Sequence, residues 1–354
     1  MFRVLFLLLL FTATTPNLKA QVVLNADGAG NTYELINSVM APNYNVVEVP
    51  DCGHTSFGRH IDEIFDSELN KHVFRFFAHT SEDNDRCKTF DRQRTEIKSY
   101  DKSPDNLIGL EGERVIYKWK MKISSDFQVS PNFTHLHQIK SVGGDFASIP
   151  IFTLTARKAT PDRLELRYTS TNDQNTIKTA DLDLLRGNWV SITVDLTYGT
   201  NSNYEIEIKN TATDAVILYY QNSNLDNWQE GAEFARPKWG IYRSLNNAQD
   251  LKDEAVLFAD FSIEETSPLS INDVNLVNNA ISIYPNPSDN FITIENSNIN
   301  FDGFTIYSAL GKTILEKQNY TSNKIDISSL PKGNYFIMFK KEGKVVSRNN
   351  VLIH

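Results

Sequence analysis

The sequence has little cysteine and, beyond its N-terminus, no long apolar run. Two cysteines occur among 354 residues, and no segment after residue 20 approaches the roughly 20 apolar residues that a transmembrane helix needs. G-x-S-x-G, P-loop and H-E-x-x-H motifs are absent, as are the E-x-D-x-E and E-x-D-x-x-E strings that pair two carboxylates on one strand. These absences argue against a serine hydrolase of the elbow type, a P-loop nucleotidase, a zinc protease and a sandwich-type retaining glycosidase.

The first 20 residues predict a signal peptide. They contain one arginine, an apolar run too short to span a bilayer, and Ala20 as a cleavage point before Gln21. Export places both cysteines in an oxidising compartment, where we expect a Cys52–Cys87 disulfide rather than two unpaired thiols. In the chain-entropy account, such a cross-link stabilises the fold by roughly 3–4 kcal/mol. The mature protein should be soluble or attached to a surface.

The charge balance is acidic, with local basic segments. The formal net charge is −9 at pH 7, which argues against nucleic acid or an anionic membrane as a partner. Residues 91–98 and 117–122 nevertheless concentrate arginine and lysine. The lysines of 117–122 are equally compatible with the solvated face of a strand and with a binding role. A local basic cleft for an acidic substrate remains compatible with the composition.

Period-two alternation of apolar and polar residues dominates the chain after residue 90. Residues 114–123 place Val115, Tyr117, Trp119, Met121 and Ile123 on one face and lysines on the other. Similar short segments follow, separated by Gly, Asn and Asp turns. Helical periodicity is confined to residues 60–74, where we expect a helix. The pattern predicts an all-β protein whose large domain is a jelly-roll β-sandwich.

The alternation breaks near residue 264, which divides the chain. We expect a large domain over 21–264, a polar, Asn-rich linker over 265–279, and a small β-sandwich domain over 280–354. The strings "YPNPSDNFITIE", "IYSALGKTI" and "IDISSLPKGNYFI" resemble the C-terminal sorting domain of the type IX secretion system. That resemblance implies export through the outer membrane of a Bacteroidetes-type bacterium, with the type IX machinery as partner and a secreted or cell-surface destination.

The stretch "THLHQIK" at 134–140 combines two histidines, an amide and a lysine. On a regular strand, His135, His137 and Ile139 share one face, while Leu136, Gln138 and Lys140 share the other. An H-x-H pair is a common zinc or copper arrangement, but no third ligand motif accompanies it. We therefore predict no metal ligands here, and expect the histidines to be buried or to flank a functional strand.

Three segments together resemble a known enzyme group. "QRTEIK" (93–98), "QIK" (138–140) and "KWGIYR" (238–243) resemble the signature strands of alginate lyases of polysaccharide lyase family 7. Lys140 stands where those enzymes carry histidine. With this change, the strings are more similar to the ulvan lyases of polysaccharide lyase family 28, followed by the glucuronan lyases of family 20. The resemblance covers residues 22–264 and implies a jelly roll that cleaves a uronate polymer by β-elimination.

The residue types suit that chemistry. Removing the proton at C5 of a uronate requires its carboxylate to be neutralised, which Arg94, Gln138 and Lys140 can do. A tyrosine near positive charge can serve as base and then as acid, and Tyr242 is our choice. The predicted catalytic residues are Tyr242, Lys140, Gln138, Arg94 and, as the alternative base, His137. The predicted substrate-binding residues are Lys238, Arg243, Arg92 and Lys98.

Other interpretations stay open at this stage. Tyr242 could be a core aromatic, and Arg94 could serve only as an ion-pair partner of Glu96 on its own strand face. The same sandwich also serves non-catalytic carbohydrate-binding and adhesin modules. No cofactor is predicted, although residues 25–31 and Asp260 could hold a structural calcium ion. We expect a monomer that binds an acidic polysaccharide and no nucleic acid.

Overall fold

The fold was analysed in a computed structural model that describes residues 20–266, 281–295, 301–308, 313–320, 322–341 and 344–354. The chain divides into two compact units, one before and one after residue 269. Residues 1–19 of the predicted signal peptide and residues 267–279 of the predicted linker lie outside the described residues. Within the described residues, no helix is long and apolar enough to cross a membrane.

The larger unit consists of two antiparallel sheets. The eight-stranded sheet has the order β13-β12-β11-β6-β15-β4-β3, with β1 also paired to β15. Its strands are β1 (Ala20–Leu24), β3 (Ile61–Asp66), β4 (Lys71–Ala78), β6 (Arg114–Lys122), β11 (Val190–Thr197), β12 (Ser202–Asn210), β13 (Val216–Leu225) and β15 (Glu254–Glu265).

The second sheet has seven strands in the order β10-β9-β8-β7-β14-β5-β2. Its strands are β2 (Val47–Glu48), β5 (Arg92–Lys98), β7 (Thr134–Val142), β8 (Phe152–Arg157), β9 (Arg163–Tyr168), β10 (Asn175–Asp181) and β14 (Phe234–Ser244). One α-helix, α1 (Thr32–Met40), packs Ile36 and Met40 against the core. Short 3₁₀ turns lie at Asp105–Leu107, Leu182–Leu184 and Ala248–Asp250.

Strand β6 shows how alternation builds the core between the sheets. Tyr117, Trp119 and Met121 are at most 2 % exposed, while the intervening lysines lie on the outer face. Apolar residues from both sheets join them in one cluster, in which Trp239 of β14 packs 6.0 Å from Trp119 between ring centroids. The predicted alternation and the all-β sandwich are therefore confirmed.

The helix predicted over residues 60–74 is wrong, because this segment forms the β3–β4 hairpin. The carboxylate of Asp66 accepts a hydrogen bond from the Leu69 amide at 2.8 Å, and Asn70 adopts a positive φ of 52°. An Asp side chain that bonds its own turn stabilises a reversal of the chain in preference to a helix. The predicted disulfide is present, joining Cys52 in the loop after β2 to Cys87 in the loop before β5.

The smaller unit contains two small antiparallel sheets. One comprises β16 (Ser282–Tyr284), β17 (Phe291–Glu295) and β20 (Lys324–Asp326). The other comprises β18 (Gly303–Ser308), β19 (Thr313–Gln318), β21 (Gly333–Lys341) and β22 (Lys344–Ile353). A separate apolar cluster, which includes Ile292, Ile306, Phe339 and Ile353, forms the core of this unit.

Candidate active site

The seven-stranded sheet carries charged and polar side chains on the face that points away from the hydrophobic core. Alternation sends Trp239 and Ile241 of β14 into the core and leaves Lys238 and Tyr242 on the opposite side. We call this second side the polar face. Its members on the three central strands are Arg92, Arg94, Glu96, Lys98, His135, Gln138, Lys140, Arg236, Lys238 and Tyr242.

The register of β5, β14 and β7 brings the three signature segments side by side. Tyr242 pairs with Arg94 on one side and with His135 on the other. Four residues earlier along β14, Lys238 pairs with Lys98 and Gln138. Lys140 pairs with Arg236, farther along the same row. The predicted site residues on this face therefore form one row, with Tyr242 towards one end and Lys140 towards the other.

Gly240 permits this close strand packing. Its φ is 147°, and a Cβ atom there would lie 2.1 Å from the carbonyl oxygen of Thr95 on β5. A residue with a side chain could not occupy this position without moving the strand. Beside Gly240, the β14–β7 register shifts between Trp239 and Tyr242. Glycine thus allows Tyr242 to lie directly beside Arg94 and His135.

Tyr242 lies among cationic and aromatic groups. The Arg94 guanidinium carbon is 3.6 Å from its ring centroid, and Arg92 Nη1 donates a hydrogen bond to its hydroxyl at 3.2 Å. The rings of Phe133 and His135 lie 5.0 and 5.8 Å from it between centroids. Two guanidinium groups thus lie against this one phenol side chain. The structure therefore places Tyr242 on the polar face and not in the core.

Beneath Tyr242, a buried ion-pair network fixes the polar face. Arg94 donates to both carboxylate oxygens of Asp85, at 2.9 and 3.0 Å, and to Glu96 at 2.5 Å. Lys238 lies 2.7 Å from Glu96, and Gln138 donates to the same carboxylate at 2.5 Å. Burial opposes ionisation of Glu96, but Lys238 and Arg94 hold its pKa below the usual value. Arg94 is thus held by acidic partners while its guanidinium lies against the Tyr242 ring.

Glu48 links further cations to this network. Its carboxylate lies 2.5 Å from Lys238, 2.8 Å from Lys98 and 2.6 Å from Arg86. Burial opposes its charge, yet Lys238, Lys98 and Arg94 hold the pKa of Glu48 well below its ordinary range. Removing one member of such a network leaves the remaining charges buried without a partner of opposite sign.

Positive charge exceeds negative charge on the polar face, although the whole chain is acidic. Six cations and three anions make up the network and its neighbours: Arg86, Arg94, Lys98, Lys140, Arg236 and Lys238, with Glu48, Asp85 and Glu96. Burial lowers the pKa of the half-buried Lys140 to about 7, with further lowering from Lys238 and Arg236. Its ammonium donates to the carbonyl of Ser148 at 2.7 Å. This surplus suits an anionic ligand.

Arg236 is a cation of the polar face that the sequence did not single out. It is 7 % exposed, and its guanidinium carbon lies 4.7 Å above the Tyr100 ring. Its Nε and Nη1 atoms have no hydrogen-bond partner among the described residues. Burial lowers the pKa of Arg236 despite the opposing effect of Glu48. A ligand carboxylate or sulfate would satisfy these donors.

The predicted faces of His135 and Leu136 are wrong, because β7 is irregular at Leu136, whereas His137 lies with Ile139 on the side opposite Gln138 and Lys140, as predicted. The β7–β8 register shifts between His135 and His137, and Leu136 is buried in the core. A bulge of this kind breaks the alternation, so the residues before and after Leu136 point to opposite sides of the sheet. His135 therefore lies on the polar face, where its Nδ1 is 2.7 Å from Thr155 Oγ1. The two histidines cannot bind one ion together.

His137, the predicted alternative base, lies on the core side. Its ring is 4.4 Å from that of Trp119 between centroids, and its Nδ1 is 2.9 Å from the carbonyl oxygen of Lys238. It is 2 % exposed and cannot reach a ligand on the polar face. His135 is the histidine that lies beside Tyr242. Burial lowers the pKa of both imidazoles to about 3, so both are neutral near pH 7.

These lowered pKa values predict a pH-dependent stability. Below about pH 6.5 the unfolded chain protonates both histidines while the folded chain does not, so the free energy of unfolding falls as the pH falls towards 3. Each histidine contributes about 1 kcal/mol per pH unit to that slope between pH 6 and 5. Denaturant unfolding of His137→Leu should show a slope smaller by this amount. A His72→Asn control, changed at an exposed ring, should keep the wild-type slope.

Arg243, predicted to bind substrate, is also on the wrong side. It follows Tyr242 directly, so its side chain points to the opposite face of β14. Its Nε donates to Gln93 Oε1 at 2.7 Å and its Nη2 donates to the Ala78 carbonyl at 3.1 Å. It is fully buried, and burial lowers its pKa to about 10. Arg243 therefore joins the two sheets and does not face the site.

Asp260, one predicted calcium ligand, carries two lysine partners. Lys71 and Lys120 lie 2.5 and 2.9 Å from its carboxylate. In the 25–31 loop, the Asp27 and Gly28 amides donate to Glu63 at 2.7 Å each. Neutralisation by two ammonium groups disfavours a divalent cation at Asp260. The same contacts place Lys120 in an ion pair on the outer face of the eight-stranded sheet.

Comparison with solved structures finds similarity to polysaccharide lyases. A family 14 alginate lyase from Aplysia kurodai has a TM-score of 0.46 and 14 % identity, covering 68 % of this chain and 97 % of the other. An endo-β-1,4-glucuronan lyase from Trichoderma reesei has a TM-score of 0.42 and 13 % identity, covering 62 % and 87 %. An alginate lyase from Pseudomonas aeruginosa has a TM-score of 0.40 and 12 % identity, covering 57 % and 85 %.

Sequence comparisons give one domain-level match. A comparison with curated proteins finds no significant match to this chain. Residues 282–353 match the family described as the secretion system C-terminal sorting domain. This range coincides with the strands of the smaller unit, from β16 to β22. The smaller unit is therefore a C-terminal sorting domain of a secretion system.

Proposed function

We propose that the larger unit is a polysaccharide lyase that cleaves a uronate-containing polysaccharide by β-elimination, with ulvan as the leading substrate. The observation that carries this proposal is the row formed by Tyr242, Gln138 and Lys140 on one polar face. A binding module has no evident need for a phenol held between Arg92 and Arg94. Glucuronan and alginate are the alternative polymers.

The proposed reaction moves one proton and forms one double bond. Tyr242, as the phenolate, takes the proton from C5 of the uronate, while Arg92, which donates to the Tyr242 hydroxyl, is the nearest cation that can neutralise the carboxylate. Lys140 pairs with Arg236, six residues from Tyr242 along β14, and would bind the carboxylate of a neighbouring sugar. The electron pair forms the C4–C5 double bond as the C4–oxygen bond breaks, and the Tyr242 proton passes to the departing glycosidic oxygen. Neither water nor an oxidant is consumed. His135 lies beside Tyr242, and burial keeps its imidazole neutral near pH 7.

The location of the enzyme follows from its sorting domain. We propose export by the type IX system through the outer membrane of a Bacteroidetes-type bacterium, to the medium or the cell surface. The C-terminal domain match supports this route. An extracellular position also agrees with the Cys52–Cys87 disulfide and with a substrate too large to enter the cell.

Ultraviolet absorbance tests the proposed activity. The purified protein should produce an absorbing C4–C5 unsaturated uronate from at least one of ulvan, glucuronan and alginate, with ulvan giving the fastest rise. Retardation of the protein in ulvan gels without absorbance would instead indicate a carbohydrate-binding module. Tyr242→Phe protein, purified in the same way, is the control for a contaminating lyase. A contaminant would give the same absorbance in both samples.

Arg236 should contribute to substrate binding more than to the chemical step. Its unpartnered donors suit a ground-state anion, and a hydrogen bond to a charged group is worth roughly 1.5–3 kcal/mol. Arg236→Gln should therefore raise KM at least about tenfold and leave kcat within about threefold of wild type. Initial rates over a range of polymer concentration measure both constants. An unchanged KM would show that Arg236 does not bind the substrate.

A further inference from the structure

We propose that His54, His60, His79 and Asp83 form a binding site for one divalent transition-metal ion, with zinc as the preferred ion. One ligand atom from each side chain lies within 4.8 Å of the others. Asp83 is fully buried at its side chain, as is His60, while His54 and His79 retain 12 % and 16 % exposure. This three-histidine cluster is separate from the polar face.

The spacing of the ligand atoms suits tetrahedral zinc. His54 Nδ1 and His60 Nε2 lie 2.8 and 2.9 Å from Asp83 Oδ1, and His79 Nδ1 lies 3.1 Å from Oδ2. Two ligands bound at about 2.0–2.1 Å in a tetrahedron are roughly 3.3 Å apart. Small rotations of these rings would therefore suffice to surround an ion. Imidazole and carboxylate together give a nitrogen-rich set that zinc accepts readily.

A second layer of contacts orients the ligands, as is usual around protein-bound metals. The other nitrogen of His60, Nδ1, lies 2.7 Å from Asp51 Oδ1, and Tyr33 donates to Asp51 Oδ2 at 2.9 Å. The His79 amide donates to Asp83 Oδ2 at 2.6 Å. The Phe57 ring lies 4.3 Å from that of His79 between centroids and covers the cluster. His60 is thereby held with Nε2 directed at Asp83.

The position of the cluster indicates a structural role. Its ligands come from residues 54–60 and 79–83, the same two regions that the Cys52–Cys87 disulfide joins. Two residues beyond Asp83, Asp85 holds the Arg94 guanidinium beneath Tyr242. Four protein ligands leave no open coordination position, as in structural zinc sites. The ion would therefore fix the loop that supports Arg94, without contacting substrate.

Metal content and a cobalt spectrum test the site without reference to activity. The full exported chain, loaded with zinc and dialysed, should retain about one zinc ion per chain by mass spectrometry of the metal. Replacement by cobalt(II) should give the intense visible absorption of a tetrahedral ion. His54→Gln and His79→Gln should each lower retained zinc at least tenfold, whereas His72→Gln, at an exposed ring, should retain it.

Two results would overturn the proposal. One is folded wild-type protein that retains less than about a tenth of an ion per chain and gives no tetrahedral cobalt spectrum, which would make the cluster a hydrogen-bond network only. The other is full zinc retention by both ligand variants. If the variants do not fold, the cobalt titration of the wild type decides alone. A lyase-inactive protein with one bound zinc would support this site while contradicting the proposed function.

Discussion

Tyr242→Phe is expected to lower kcat at least about a hundredfold, with polymer binding retained. The change removes only the hydroxyl that would take the C5 proton and return it to the leaving oxygen, and such acid–base groups contribute at least about that factor. The ring would still stack against Arg94 and lie beside His135, so the fold should persist. Steady-state rates on ulvan and thermal unfolding of the same preparations measure both effects.

An exposed tyrosine provides the matched control for this substitution. Tyr219 lies on β13 of the other sheet, where its hydroxyl donates to Gln221 at 3.1 Å. Tyr219→Phe should keep wild-type kcat. If Tyr242→Phe retains more than about a tenth of kcat, another group is the base, and His135 is then the first residue to replace because it lies on the same face.

Lys140→Ala should weaken polymer binding and raise KM at least about tenfold, while kcat stays within about threefold of wild type. Lys140 pairs with Arg236, six residues from Tyr242 along β14, so its ammonium would contact the ground-state carboxylate of a neighbouring sugar. A hydrogen bond to a charged group is worth roughly 1.5–3 kcal/mol, which corresponds to a factor of about ten or more. Lys178→Ala, at an exposed position on the edge strand β10, should change neither constant. A loss of kcat of about a hundredfold would instead assign Lys140 to the uronate that reacts at Tyr242.

The lowered pKa of Lys140 adds a pH test. With a pKa of about 7 in the free protein, the ammonium is charged below pH 7 and neutral above it. The value of kcat/KM, which reports the free enzyme, should therefore fall as the pH rises above about 7. Lys140→Arg keeps its charge throughout this range and should lose that decline, even if its absolute activity is lower. If both proteins show the same decline in kcat/KM, a group other than Lys140 causes it.

Much of the architecture was predictable because alternation directly reflects which side chains are buried. Residues 114–122 form β6 with the predicted faces, since Tyr117 and Trp119 pack into the core. The strings around Arg94, Gln138 and Tyr242 were expected to meet, and adjacent strands bring them together. Their roles in catalysis remain predictions.

The errors arose where local geometry departs from a regular pattern. The bulge at Leu136 places His135 on the polar face and Leu136 in the core, which no periodicity argument detects. The Asp66 turn replaced a predicted helix with a hairpin. Arg243 is different, because strict alternation from Tyr242 would have placed it in the core. Its adjacency in sequence was mistaken for proximity in the site.

The groups missed entirely are those assembled from distant segments. Glu48 lies 190 residues from Lys238 in sequence, yet their side chains form a buried ion pair. His54, His60, His79 and Asp83 have no motif spacing, and only the folded loops bring them together. A buried charge carries little local sequence signal, because its partners are supplied by the tertiary fold.

Digestion of ulvan in water enriched in oxygen-18 tests the central claim most directly. Elimination consumes no water, so mass spectrometry should show products with unsaturated uronate ends, each one water lighter than the corresponding hydrolysis product and without oxygen-18. Saturated products that carry one oxygen-18 atom at the new end would show hydrolysis and contradict the β-elimination proposed for Tyr242.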